Sequence, residues 1–264
     1  LNASNGEKLW MNTVNNYGGI TWINVDGDLV VVGWENQSCA MYKKTGQIVW
    51  KNDEARFISS EPVFIDNKII FGSRNGDLYA INRTNGSTIW HITLQPQNIY
   101  LSVDIIRNRI VVAADNQCYA IDAADGSIDW TFTTAGMIKS PPSIVDNTVF
   151  CGSTDTTIYV LTAEDGKLRW KNNTGWGILT TPTYSDNIVY TGSLDNHLYA
   201  FDVKDGKMLW SFAGNAAIHS APLVYGEYVF FGCDDGWFYA VNKTNGEPAW
   251  SFAPNLTIDD DIYN

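Results

Sequence analysis

The residues of this chain that could do chemistry are few, and their spacing argues against most reactions. His91, His197 and His219 lie at unrelated positions, with no H-x-x-x-H spacing to bring two imidazoles onto one metal. No G-x-S-x-G elbow and no phosphate-binding P-loop occurs. Asp259-Asp260-Asp261 sets carboxylates side by side, whereas a calcium loop spaces its ligands, so the run reads first as a solvated acidic segment and second as a calcium site. Cys39, Cys118, Cys151 and Cys233 share no common phase and are expected to be buried thiols. The expectation is a chain without catalytic residues, metal or cofactor, hence not an enzyme.

A second kind of chemistry, recognition, finds better material. Tyr17, Phe57, Met137 and Trp176, with Arg56, Lys139 and His219 close by, combine apolar anchors with a polar rim, the make-up of a protein-binding surface. The competing reading has the aromatic members filling space along a central channel. A net charge of −12 repels phosphate backbones and anionic lipid, so nucleic acid is not expected as a partner. No apolar run approaches the ~20 residues that cross a bilayer, so no membrane insertion is expected. The first residues, Leu1-Asn2-Ala3-Ser4, show no basic region followed by an apolar stretch, so any targeting signal is expected to be removed or absent. Seven Asn-x-Ser/Thr sequons, at Asn2, Asn36, Asn82, Asn85, Asn172, Asn242 and Asn255, suit an extracytoplasmic protein.

The scaffold that positions these residues is written in a period. Trp10, Trp50, Trp90, Trp130, Trp170, Trp210 and Trp250 recur every 40 residues, and Gly6, Gly46, Gly86, Gly126, Gly166, Gly206 and Gly246 keep the same interval. Within one unit, residues 61–71 read as two short strands around Asp66-Asn67, residues 77–82 as a third, and residues 87–90 open a fourth. Asp26-Gly27, Arg107-Asn108, Asp146-Asn147, Asp186-Asn187 and Gly226-Glu227 hold the equivalent hairpin place and suit turns with positive φ. Four antiparallel strands per repeat predict an all-β propeller, whose radial blades protect sheet edges. The recurring glycine is expected in a left-handed conformation, and each tryptophan is expected to dock one blade on the next, its indole N–H needing an acceptor. The segments before each first strand, which carry Tyr17, Arg56, Phe57, Met137, Lys139, Trp176 and His219, are then the linkers between blades, ringing one mouth of the channel.

Ala80 to Trp90 (AINRTNGSTIW) and the matching runs ending at Trp130, Trp210 and Trp250 resemble the tryptophan-docking motif A-x-D-x-x-T-G-x-x-x-W of pyrroloquinoline-quinone-type propeller repeats. Tyr42 and Thr162 stand where that motif has its acidic residue. The resemblance implies a propeller over nearly the whole chain, but the family holds both quinone-dependent alcohol dehydrogenases and non-catalytic scaffolds of outer-membrane β-barrel assembly. The dehydrogenases carry an adjacent-cysteine disulfide and long roofing inserts; this chain has no Cys-Cys pair and is about half their length. A binding scaffold for a protein partner is therefore favoured, with a truncated quinoprotein oxidoreductase and a glycan- or small-ligand-binding propeller as alternatives.

Seven intervals of 40 exceed the 264 residues present. A single domain over 1–264 is expected, with six whole repeats and a partial seventh blade built from 1–12 and 259–264. A seven-bladed ring is expected, its incomplete blade joining the two termini; either the chain is a fragment of something longer or a strand from another molecule completes that blade, which would give self-association, and a six-bladed ring with loose ends or part of an eight-bladed one is the alternative.

Overall fold

The computed structural model describes residues 4–11, 20–34, 37–94, 99–104 and 107–253. Its described elements are all strands, grouped in sequential four-stranded antiparallel sheets, or blades. The first is β1 (Ile20–Asp26), β2 (Leu29–Trp34), β3 (Gln37–Tyr42) and β4 (Ile48–Asn52). The second is β5 (Val63–Ile65), β6 (Lys68–Gly72), β7 (Asp77–Asn82) and β8 (Thr88–Thr93). The third is β9 (Ile99–Asp104), β10 (Arg109–Ala114), β11 (Gln117–Asp122) and β12 (Ile128–Thr133). The fourth is β13 (Ser143–Val145), β14 (Thr148–Gly152), β15 (Thr157–Thr162) and β16 (Leu168–Asn173). The fifth is β17 (Thr183–Ser185), β18 (Ile188–Gly192), β19 (His197–Asp202) and β20 (Met208–Ala213). The sixth is β21 (Leu223–Tyr225), β22 (Tyr228–Gly232), β23 (Phe238–Asn242) and β24 (Pro248–Phe252). The chain divides into two compact units, residues 1–149 with 161–167 and residues 150–160 with 168–264.

Local chemistry explains the strands. Asp66, Asn108, Asp146, Asp186 and Asn187 hold positive φ in the first hairpin turn of their sheets, as do Gly27 and Gly226, the conformation in which the turn twist matches the strand twist. The second strands are β-branched or aromatic and buried along most of their length, as in β6 and β14, because sheets covered on both faces need continuous apolar runs rather than alternation. The fourth strands carry the water-facing pattern instead: in β12 and β20 only the tryptophan is buried.

That tryptophan sits opposite an alanine in the register, Ala80 against Trp90 and Ala120 against Trp130, with a bulge directly after each alanine. A small side chain across from a large one leaves the indole room, and the bulge re-aims the strand. In the first unit the Trp50 indole donates to the Arg83 carbonyl at 2.8 Å, Trp90 to Ala123 at 3.1 Å and Trp130 to Ala163 at 3.0 Å. In the second, Trp170 donates to Val203 at 2.8 Å and Trp210 to Lys243 at 3.1 Å. Each ring lies over the left-handed glycine of the following repeat, where a Cβ on Gly86 would come within 2.6 Å of Trp50 and one on Gly206 within 2.7 Å of Trp170.

The cores lie between successive sheets. In the first unit Trp22, Val31, Trp50, Ile58, Ile69 and Phe71 pack as one cluster, and Ile70, Leu78, Trp90, Ile99 and Val112 as the next. In the second unit Tyr190, Leu198, Trp210, Val229 and Phe231 form a comparable layer. Cys39 and Cys233 are buried free thiols, and Cys118 and Cys151 are buried too. Burial pushes the Cys39 thiol up to about 11.

Of the residues expected to build a partial seventh blade, only 4–11 are described. Residues 7–11 carry no strand, although Trp10 donates to the Lys43 carbonyl at 2.8 Å and covers Gly46. Residues 12 and 259–264 lie outside the described residues.

Candidate functional site

The linkers between blades and the turns between second and third strands occupy the same end of the sheets, because each sheet is a four-strand meander. Backbone hydrogen bonds tie the two together. In the first unit Arg74 N donates to Phe57 O at 2.9 Å and Ile138 N to Asp115 O at 2.6 Å. In the second, Ile178 N donates to Ser153 O at 2.9 Å while Leu194 N donates to Gly177 O at 3.0 Å, so one linker is held by the turns of the blade before it and the blade after it. Ile218 and Ala217 repeat this with Ser193 and Asp234. The isoleucine side chain is buried each time, at Ile58, Ile138, Ile178 and Ile218.

An aspartate in the turn reinforces the anchor in the second unit. Tyr159 OH donates to Asp155 at 2.8 Å, Tyr199 OH to Asp195 at 2.7 Å and Tyr239 OH to Asp235 at 2.5 Å. Gly175 N also donates to Asp195, and Asn215 Nδ2 donates to Asp235 at 3.3 Å, so the carboxylate bridges turn and linker. Burial works against the charge on Asp155, but hydrogen bonds from Tyr159, Thr157 and Ser153 together hold its carboxyl below the usual range. Burial first, and then the bonded carboxylate, push Tyr199 and Tyr239 each up to about 12. The spacing Asp-x-x-x-Tyr recurs at the 40-residue interval; sequence reading passed over it, though the repeat displays it.

Onto these anchored linkers the structure places most of the sequence-derived surface. In the first unit Arg56 and Phe57 share one linker, and Met137 and Lys139 share a later one. Phe57 is 44% and Met137 48% exposed, and Arg56 and Lys139 are exposed. Arg56 Nε donates to Asp53 O at 2.9 Å. Phe57 keeps a φ of 55°, a left-handed conformation that costs a bulky residue ~1–3 kcal/mol and that the Arg74 bond helps to hold. In the second unit Trp176 is 64% exposed, its carbonyl accepting from Ser193 Oγ at 3.1 Å. His219 Nε2 lies 3.3 Å from Asp234 Oδ2, both half exposed. Tyr17 lies outside the described residues. Phe57, Met137 and Trp176 thus turn their rings and thioether to solvent on backbone that is fixed from below.

Among the described residues no group of three or more His, Cys, Asp or Glu side chains is placed to hold a metal ion. A concavity of about 450 Å³ in the first unit is lined by Asp28, Leu29, Tyr42, Val49, Asn67, Arg83 and Thr84, at the opposite end of the strands from the linkers. A further aromatic surface, not foreseen as one, lies on the sixth sheet: Trp237, Phe238, Trp250 and Phe252 are each at least 40% exposed.

With strand order, register and linkers in hand, the comparison with known proteins is decisive at the level of family. A family model described as outer membrane protein assembly factor BamB matches residues 1–102, 40–143 and 133–255. The chain belongs to the BamB family. It is similar to the outer membrane protein assembly factor BamB of Salmonella typhimurium (strain LT2), with 26% identity over 117 residues; that match spans 39% of this chain and 30% of that protein. The solved structure of BamB from Moraxella catarrhalis superposes with a TM-score of 0.74 at 21% identity, covering 88% of this chain and 75% of that one. The computationally designed Ika8 protein gives 0.76 at 20% identity, covering 88% and 74%. At such identities the likeness to BamB and to Ika8 speaks for the fold, a β-propeller, and not for a site.

Proposed function

We propose that this protein is a non-catalytic scaffold that binds a protein partner through its blade-linking loops, in an extracytoplasmic compartment. The observation that carries this reading is the contrast, in the linkers that hold Phe57 and Trp176, between a hydrogen-bonded backbone and an apolar side chain left in water. Arg74 holds the carbonyl of Phe57, and Ser193 holds that of Trp176, while both side chains stay exposed. A backbone held in place beneath aromatic anchors lowers the ordering cost of binding, since the main chain need not be ordered on association. Membership of a family described as an assembly factor supports a protein as the partner. We assign Arg56, Phe57, Met137, Lys139, Trp176 and His219 to the contact surface, the periodic tryptophans Trp10 to Trp210 to docking between blades, and residues 1–264 to one propeller domain, whereas Trp250 is 47% exposed. Self-association stays part of this proposal, read out as a change in particle size on dilution.

A photo-crosslinking amino acid at position 176, 57 or 137 tests the surface, with one at position 84, at the other end of the strands, as control. Discrete protein adducts from the three linker positions and none from the control are expected. Equal adducts from position 84, or dye-linked alcohol oxidation on addition of quinone and calcium, would overturn the scaffold reading.

A further inference from the structure

The turn before each periodic glycine presents an internal comparison. Asp125, Asp165, Asp205, Asn85 and Asn245 occupy one equivalent position, and at each an Oδ1 accepts the backbone N–H two residues on. The distances are 2.9 Å at Asp125, 3.3 Å at Asp165, 2.9 Å at Asp205, 3.0 Å at Asn85 and 3.0 Å at Asn245. The turn therefore needs only an oxygen, and the amide nitrogen of an asparagine there is surplus to the fold. Two of these five positions, Asp125 and Asn85, have a serine two places on, but only Asn85 also brings an amide nitrogen, the sequence there reading Asn-Gly-Ser. Ser87 Oγ donates to Asn85 Oδ1 at 2.8 Å, both residues are exposed, and no described group accepts from Asn85 Nδ2.

Of the other described sequons, one has its amide nitrogen engaged by the fold and two are less exposed than Asn85. Asn172 Nδ2 donates to the Gly206 carbonyl at 2.9 Å, and the hydroxyl of its buried Thr174 donates to the Thr156 carbonyl at 2.9 Å. Asn82 and Asn242 end strands and are half buried. The Asn82 Oδ1 accepts two backbone N–H groups, while its Thr84 hydroxyl donates to Asn67.

We propose that Asn85 is an N-glycan acceptor, modified on the folded chain, and that its substrate is a polyprenyl-linked oligosaccharide delivered by an oligosaccharyltransferase. Nδ2 attacks the anomeric carbon, the N–C bond forms as the C–O bond to the lipid phosphate breaks, the phosphate leaves with the electron pair, and a base of the transferase takes the amide proton. In the cell this rests on the extracytoplasmic placement above; the acceptor geometry does not.

The test is transfer in vitro from purified lipid-linked oligosaccharide by a single-subunit oligosaccharyltransferase onto the folded protein, with sites mapped by peptide mass. One glycan at Asn85 is expected in the native sequence and none in Asn85→Asp, which keeps the turn oxygen that three repeats already use, or in Ser87→Ala. Glu247→Ser, which completes a sequon on the equivalent turn, should add a second glycan at Asn245. A bare Asn85 beside modified Asn82, Asn172 or Asn242 would overturn the proposal, as would a bare Asn85 on the folded chain when a peptide of residues 80–90 is accepted. Full transfer in vitro with no glycan on the protein isolated from its own cells would support the acceptor geometry and count against the placement.

Discussion

Gly86→Ala isolates the contact between an indole ring and the glycine of the next repeat. The added methyl meets two separate penalties. Gly86 has a φ of 73°, and a side chain in that region costs ~1–2 kcal/mol. Its Cβ would also stand 2.6, 2.7 and 2.8 Å from three ring atoms of Trp50, and that ring cannot swing away because its N–H is bonded to Arg83 O at 2.8 Å; overpacking of this kind costs a further ~1–3 kcal/mol. The sum is ~2–5 kcal/mol. Gly27→Ala is the control within the same unit: its φ is 59°, and its nearest neighbour is the end of the flexible Arg83 side chain at 3.5 Å, so it carries the conformational term alone. With a urea m-value of about 3 kcal/mol/M, the ~1–3 kcal/mol difference separates the two midpoints by ~0.3–1 M, read by far-UV circular dichroism. Coincident midpoints would refute the argument, since they would mean that the indole yields and the glycine is needed only for its φ.

Absorbance of ionised tyrosine should show Tyr199 and Tyr239 titrating near pH 12. Because these phenols have folded-state values above the ordinary ~10, their contribution to stability is present below about pH 10 and is lost as pH rises toward 12; a native-state titration complete near pH 10 would contradict the burial and Asp195 pairing. Cys39, raised to about 11, should be alkylated at pH 8 on the order of a hundredfold more slowly than an unfolded thiol, and mapping of the alkylated peptides checks it. Trp176→Ala should leave stability within ~0.5 kcal/mol, as exposed substitutions do, which denaturant titration checks. Asp195→Ala, by contrast, removes the acceptor of Gly175 N and Tyr199 OH and should cost ~1–3 kcal/mol, measured by denaturant titration.

What the sequence by itself determined is the repeat and the strands. A strand's alternation and a turn's positive φ are local demands, met by residues adjacent in the chain. Asp146-Asn147 and Asp186-Asn187 could therefore be placed in hairpin turns before any coordinates, and the 40-residue interval then implied blades.

Tertiary structure alone decided the rest. An indole finds its carbonyl 33 residues away, and a turn carboxylate reaches a linker 20 residues before it; no local pattern specifies either distance. Exposure has the same character. Phe57 and Ile58 are consecutive apolar residues, yet one faces water and the other is buried, because burial is set by which neighbouring sheet arrives to cover a side chain.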